Sequence, residues 1–352
     1  RDISNSFVAE LQSVLGQNPF NVFRIQAASE LRPRNGKDLR PALEVSLPGG
    51  GYIGYGGTFA AFQNDLEEWK LQAINNFTHV AGDHTLKIGA NGIFTHIENQ
   101  FILEGAGVYN FADMDAFEAS RPSSYERNIR EGGGVPYSEF DVLEWSVYAQ
   151  DEWQVTPRLT ATFGLRYDLQ TFLQEPARVI DAERAFGVTT GIAPTDNDNI
   201  SPRLALAYDF SGNGTSVLRG GVGYFYGRVP YVLGGNVQST VRPVVTVQCT
   251  GSIVDGDPNA PPSVQNYGSW SRDGDDNPTS CAGTTVASGI PEYTFWNEDF
   301  EFPETLKANV GYSQEIGDRT RLSVDALFSQ SSLLYTVRNL NLRDVQFALD
   351  NE

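Results

Sequence analysis

Residues 147–168 read VYAQDEWQVTPRLTATFGLRYD, two runs of alternating apolar and polar residues divided at Thr156-Pro157. In and just before this stretch Leu143, Trp145, Val147, Ala149, Trp153 and Val155 share one face; Glu144, Ser146, Tyr148, Gln150, Glu152 and Gln154 share the other. Beyond the turn, Leu159, Ala161, Phe163, Leu165, Tyr167 and Leu169 oppose Arg158, Thr160, Thr162, Gly164, Arg166 and Asp168. Side chains of a strand point to opposite faces in turn, so each run predicts a strand with one apolar and one polar side. The alternation holds for about 13 residues on each side, roughly 33 Å of height at a tilt of about 40°. A soluble strand is about 5–6 residues long, whereas an outer-membrane barrel presents an apolar band of about 25 Å. Trp145 and Trp153 lie eight positions apart on the apolar face, near the separation of two interfacial aromatic girdles. Asp151 falls on the apolar face by parity and is placed at the interface, beside Trp153, where a charge costs little.

Working outward, the pattern recurs as hairpins at about 3–15 with 20–29, 67–80 with 84–103, 142–155 with 158–173, 202–210 with 216–227, and 304–316 with 320–338. Within pairs the turns are short: Gly16-Gln17-Asn18-Pro19, Ala81-Gly82-Asp83, Thr156-Pro157, Ser211-Gly212-Asn213-Gly214 and Gly317-Asp318-Arg319. Between pairs the connections are long, at about 30–66, 104–141, 174–201 and 228–303. Short turns on one side and long loops on the other are the periplasmic and extracellular ends of a bacterial outer-membrane barrel. The expected fold is therefore all-β: a transmembrane antiparallel barrel embedded in outer-membrane lipid, with 228–303 a large extracellular loop within it.

Composition agrees. The 352 residues carry a formal charge of −19, which argues against a nucleic-acid partner. No run of about 18 apolar residues predicts a membrane-spanning helix, and alternation hides a barrel from that test. The chain opens on Arg1 with mixed polar residues, so no leader peptide is expected in it.

Several stretches resemble the barrel of TonB-dependent outer-membrane receptors, in particular the Oar-like branch. They are Tyr148-Ala149-Gln150-Asp151-Glu152-Trp153, Gly164-Leu165-Arg166-Tyr167-Asp168, Ile200-Ser201-Pro202-Arg203, Leu218-Arg219-Gly220-Gly221-Val222-Gly223 and His84-Thr85-Leu86-Lys87-Ile88-Gly89. The resemblance implies a barrel of about 22 strands with a plugged lumen, driven by an inner-membrane TonB complex, for active uptake of an iron chelate, cobalamin, peptide or oligosaccharide. The alternatives are a surface barrel serving adhesion or assembly, and a soluble carbohydrate-binding β protein whose apolar strand faces pack together. About ten strands are legible, without a plug-like segment or coupling box, and the end at Asn351-Glu352 lacks a terminal aromatic strand. The whole chain, 1–352, is therefore expected to be part of a barrel domain.

Catalysis finds little support in the sequence. His79, His84 and His96 lie in or near one hairpin, with no cysteine or carboxylate at metal-ligand spacing. They read as interfacial polar residues. Gly220, Gly221 and Gly223 sit inside a strand pattern and read as wall glycines, not a phosphate cradle. Arg158, Arg166, Arg203 and Arg219 fall on polar faces and are expected to line the lumen. Ion pairing across strands is the leading role for them, with an anionic guide or a plug-docking surface behind it.

The loop Val229–Pro303 holds Tyr267, Trp270, Tyr293 and Trp296, candidate ligand contacts on a rigid scaffold. Its two cysteines, Cys249 and Cys281, are expected to form a disulfide rather than two unrelated thiols. Asp255-Gly256-Asp257 and Arg272-Asp273-Gly274-Asp275-Asp276-Asn277 offer hard oxygens suited to Ca²⁺, with Asp255, Asp257, Asp273 and Asp275 as candidate ligands. Lacking the spacing of an EF-hand loop, they read first as solvated turn acids.

Overall fold

A computed structural model describes residues 2–16, 18–34, 36–57, 64–130, 137–193, 195–238, 244–283, 293–317 and 319–341. Gln17 and Asp318 of the expected turns, and the chain end at Asn351-Glu352, lie outside the described residues.

Ten long strands form one antiparallel sheet. In chain order they are β1 (Ile3–Val14), β2 (Pro19–Arg34), β5 (Asn64–Ala81), β6 (His84–Gln100), β9 (Tyr137–Thr156), β10 (Leu159–Phe172), β11 (Ile200–Asp209), β12 (Ser216–Tyr226), β14 (Glu304–Ile316) and β15 (Thr320–Ser332). Each strand pairs with its sequence neighbour in this series, and β1 and β15 stand at the edges. All five expected hairpins are present. Across β9 and β10, Leu165 pairs with Ala149 and Tyr167 with Val147, so one face carries the apolar set throughout. That convex face stays exposed in the isolated chain: Phe163 is 49% exposed and Leu165 54%, as a lipid-facing surface requires.

Asp151 is explained by its partner. The His84 Nδ1 lies 2.8 Å from its carboxylate, and the His84 ring stacks on Trp153 at 5.4 Å. One aromatic belt thus includes Trp153 and His84; Trp145 and Tyr167, 5.3 Å apart, belong to the other. On the concave face Gly89 lies under Tyr148, where an added Cβ would approach the ring to 2.4 Å. The Tyr148 hydroxyl donates to Asn76 Oδ1 at 2.6 Å, tying β9 to β5 across that gap.

The long connections are not open loops. β3 (Ala42–Ser46) and β4 (Tyr52–Tyr55), β7 (Val108–Phe111) and β8 (Ser124–Arg130), and β13 (Val244–Cys249) come from three of them. They form a second, five-stranded sheet in the order β13-β8-β7-β3-β4, antiparallel except for the parallel pair β3–β7. Helix α1 (Met114–Glu118) links β7 and β8, starting on Asp113, whose side chain accepts from the Ala116 amide. Helix α2 (Ile180–Phe186) lies between β10 and β11, and α3 (Tyr231–Gln238) follows β12. The core of the loop-built sheet is Leu43, Val45, Tyr109, Phe111, Tyr125, Val247, Cys249, Val264 and Tyr267. Its irregular segments are held by buried side chains bonding to backbone carbonyls: Tyr125 to Pro278 at 2.7 Å, Tyr267 to Pro41 at 2.7 Å and Arg127 to Gly105 at 2.8 Å. Such bonds take the place of a ladder where no strand is available.

Candidate functional site

The concave face is where the wall's polar residues converge. The Glu144 carboxylate on β9 is its centre, buried and fully engaged. It accepts from Gln170 Nε2 at 2.8 Å, from Arg228 at 2.9 Å and from the Tyr231 hydroxyl at 3.2 Å. Burial pushes the Tyr231 phenol up to about 12, so at neutral pH it is a donor to this carboxylate. Gln170 also holds the returning chain, accepting the Val229 amide at 2.9 Å. These bonds draw α3 from the large loop onto the inner wall. There Val229, Val237, Trp296 and Phe302 pack on Ile97, Phe140, Val142 and Phe172. Gly234 makes the approach possible, since a Cβ at that position would meet the Phe172 ring at 2.3 Å.

Beneath α3 lies a cavity of about 340 Å³ lined by Gln26, Lys70, Gln72, Glu144, Arg228 and Tyr231, among others. A smaller space of about 170 Å³ continues past Glu144 and Arg228 to Arg166, Asp168 and Arg203. The Lys70 ammonium, 2.5 Å from Glu68, also sits 5.5 Å from the centre of the Tyr231 ring. The lining therefore alternates in sign and presents several donors to a polar ligand or docked chain.

The arginines expected in the lumen divide. Arg166 pairs with Asp168 at 2.7 Å and donates to Ser146, Arg203 lies over the Phe225 ring at 4.3 Å, and Arg219 pairs with Asp325 at 3.1 Å. Arg219 thus pairs across strands, from β12 to β15, whereas Arg166 pairs along its own strand and reaches β9 only through Ser146. Arg158 is a correction. Arg158 lies in the turn between β9 and β10, where it donates to the Phe210 carbonyl at 3.4 Å. Strand parity does not extend to a residue of the turn itself.

The four loop aromatics are not brought together. Tyr267, 8% exposed, is a core residue of the loop-built sheet, and Trp270 packs against it at 5.4 Å. Trp296, 9% exposed, belongs to the inner-wall cluster beneath α3. Tyr293 alone of the four stays exposed. Tyr267 and Trp296 are accordingly corrected from surface contacts to packing residues. Cys249 and Cys281 form the expected disulfide, with their Cα atoms 5.5 Å apart. Asp255, Asp257, Asp273 and Asp275 do not converge into a group of three metal-ligating side chains among the described residues. Asp257 instead accepts the Asn259 amide at 2.8 Å. His96 departs from its expectation in the other direction: Glu98 stands two residues along β6, and cross-strand pairing adds Asp141 and Glu139 from β9. Sequence spacing hides carboxylates supplied by a neighbouring strand.

Over residues 8–350 the sequence matches the family described as outer membrane beta barrel domain. The chain belongs to that family, and its place is the bacterial outer membrane. Among solved structures, the outer membrane transporter YddB from Escherichia coli is similar at a TM-score of 0.54 and 13% identity, over 94% of this chain and 34% of YddB. The siderophore receptor PirA from Acinetobacter baumannii gives a TM-score of 0.44 and 12% identity, over 94% of this chain and 35% of PirA. The ferric yersiniabactin uptake receptor FyuA from Yersinia pestis gives 0.42 and 8%, over 94% and 36%. The chain thus spans about a third of the length of these structures. No curated protein sequence matches it.

Proposed function

We propose that these strands are wall of a TonB-dependent active transporter of the Oar-like kind, which captures a scarce polar nutrient at its extracellular face. The cargo classes are an iron chelate, cobalamin, a peptide or an oligosaccharide. The observation that carries the reading is the concave polar site. Glu144 gathers Arg228, Tyr231 and Gln170 beside a cavity of about 340 Å³, whose lining offers charges of both signs and several donors to a polar ligand. The fold likeness to an outer-membrane transporter supports it. In this account the energy comes from an inner-membrane TonB complex, and α3 closes the cavity from outside until ligand arrives.

The test is accumulation of labelled ferric chelates, cobalamin, peptides and oligosaccharides by cells carrying the full-length protein. The proposal expects one class to accumulate, with accumulation lost on deleting the TonB complex while surface binding remains. Attachment to cells or matrix through the loops, with no energised accumulation of any class, would overturn it in favour of an adhesion barrel.

A further inference from the structure

Above Trp69, on the convex face, stands a group of side chains that the polar lumen does not account for. Strand pairing puts Trp69 opposite His96 and Glu67 opposite Glu98. On the other side of β6 it puts Asp141 opposite His96 and Glu139 opposite Glu98. Three glutamates thereby stand in one cross-strand row, and like charges placed directly opposite repel. A bound cation turns that repulsion into ligation.

The histidine is set for the purpose. His96 Nδ1 lies 2.7 Å from Asp141 Oδ1, and Asp141 is itself fixed by Gln174, which donates to Oδ2 at 2.6 Å and accepts the Asp141 amide at 2.6 Å. A metal-ligating imidazole habitually gives its other N–H to a held carboxylate in this way. Nε2 is left facing Glu98 Oε1 at 3.2 Å. In a tetrahedral shell with bonds of about 2.0–2.1 Å, adjacent ligand atoms are about 3.3 Å apart. One atom from each of His96, Glu98 and Glu139 lies within 4.8 Å of the others, and a small rotation of the exposed Glu139 side chain closes that shell.

We propose that His96 Nε2 and one oxygen each of Glu98 and Glu139 bind a divalent transition cation of the zinc type. Asp141 and Gln174 act as positioning residues, and the fourth position opens outward at headgroup level. The imidazole selects against Ca²⁺ and Mg²⁺, which prefer all-oxygen shells. Bound there, the cation clamps β6 to β9 where both strands leave the membrane. This site is independent of the transport reading, since it faces away from the lumen.

The experiment is calorimetric titration of Zn²⁺ into the intact protein, purified in detergent and stripped with chelator. Wild type is expected to take up one equivalent that His96→Gln and Glu139→Gln each lose, while Asp141→Asn weakens it about 10- to 100-fold. Co²⁺ in place of Zn²⁺ should give visible ligand-field bands that vanish with the same variants. Glu139 is exposed, so its substitution reads the site even where the His96 variant fails to insert. Equal stoichiometry and affinity in wild type and Glu139→Gln, or no saturable Zn²⁺ uptake by wild type, would overturn the proposal.

Discussion

Leu165 and Ala149 pair midway between the two aromatic belts, with Trp153 on one side and Trp145 on the other. A charge at that depth has no aqueous route and no partner. Leu165→Arg should therefore cost about 2–4 kcal/mol in bilayers. Phe163→Arg should cost less, because Phe163 pairs with Asp151 nearer the interface. Thr162→Arg, on the concave face opposite Glu152, should be milder than either. Unfolding in lipid vesicles of graded denaturant measures all three, and equal penalties at Leu165 and Thr162 would contradict the assignment of faces. Ser146 makes a poor control, since it is buried and accepts from Arg166 at 2.7 Å. At this scale parity read from sequence was sufficient wherever the ladder was regular. It failed at Arg158, which lies in the turn between β9 and β10 and not in a strand.

At the scale of elements, the loop-built sheet and the wall are stabilised separately. The disulfide joins β13 to a segment without strand structure, and Cys249 is fully buried in that sheet's core. Its closure of the loop contributes about 3–4 kcal/mol. Cys249→Ser should loosen the loop-built sheet, seen as faster proteolysis within 250–283, while the heat resistance of the wall on gels stays unchanged. Loss of wall heat resistance would show the two to be one cooperative unit. The same sheet is sensitive to alkali. Burial pushes the phenols of Tyr109 and Tyr125 up and that of Tyr267 up to about 12 from an ordinary value of 10.0. A phenol with a raised folded pKa is neutral in the fold, so its stabilisation is complete below the unfolded pKa. It is lost as pH rises from about 10 through about 12. Near-ultraviolet circular dichroism should therefore show loop order lost across that window, at lower pH than any loss of wall structure. Coincident loss would contradict the account. The disulfide was legible in the sequence, but the sheet it braces was not: β3, β4, β7, β8 and β13 are short, and the parallel β3–β7 pairing joins segments far apart in the chain. Tyr267 in a polar loop looks like a recognition residue until its partner Pro41 is known.

The whole molecule is legible in proportion to repetition. Each long strand has one lipid face and one polar face, so alternation alone revealed all ten strands and the rhythm of turns and loops. The concave site is less visible. Glu144 and Arg228 are far apart in sequence and meet only because α3 folds back onto the wall. The account's central claim is that one end of this sheet faces the outside of the cell and the other the periplasm. Single-cysteine labelling on intact cells tests it most directly, because the native cysteines are paired. With a membrane-impermeant reagent, Asp255→Cys in the loop body should be labelled at once. Asn213→Cys in the β11–β12 turn should be labelled only after the outer membrane is permeabilised. Labelling of Asn213→Cys from outside, with Asp255→Cys protected, would contradict the orientation on which the account rests.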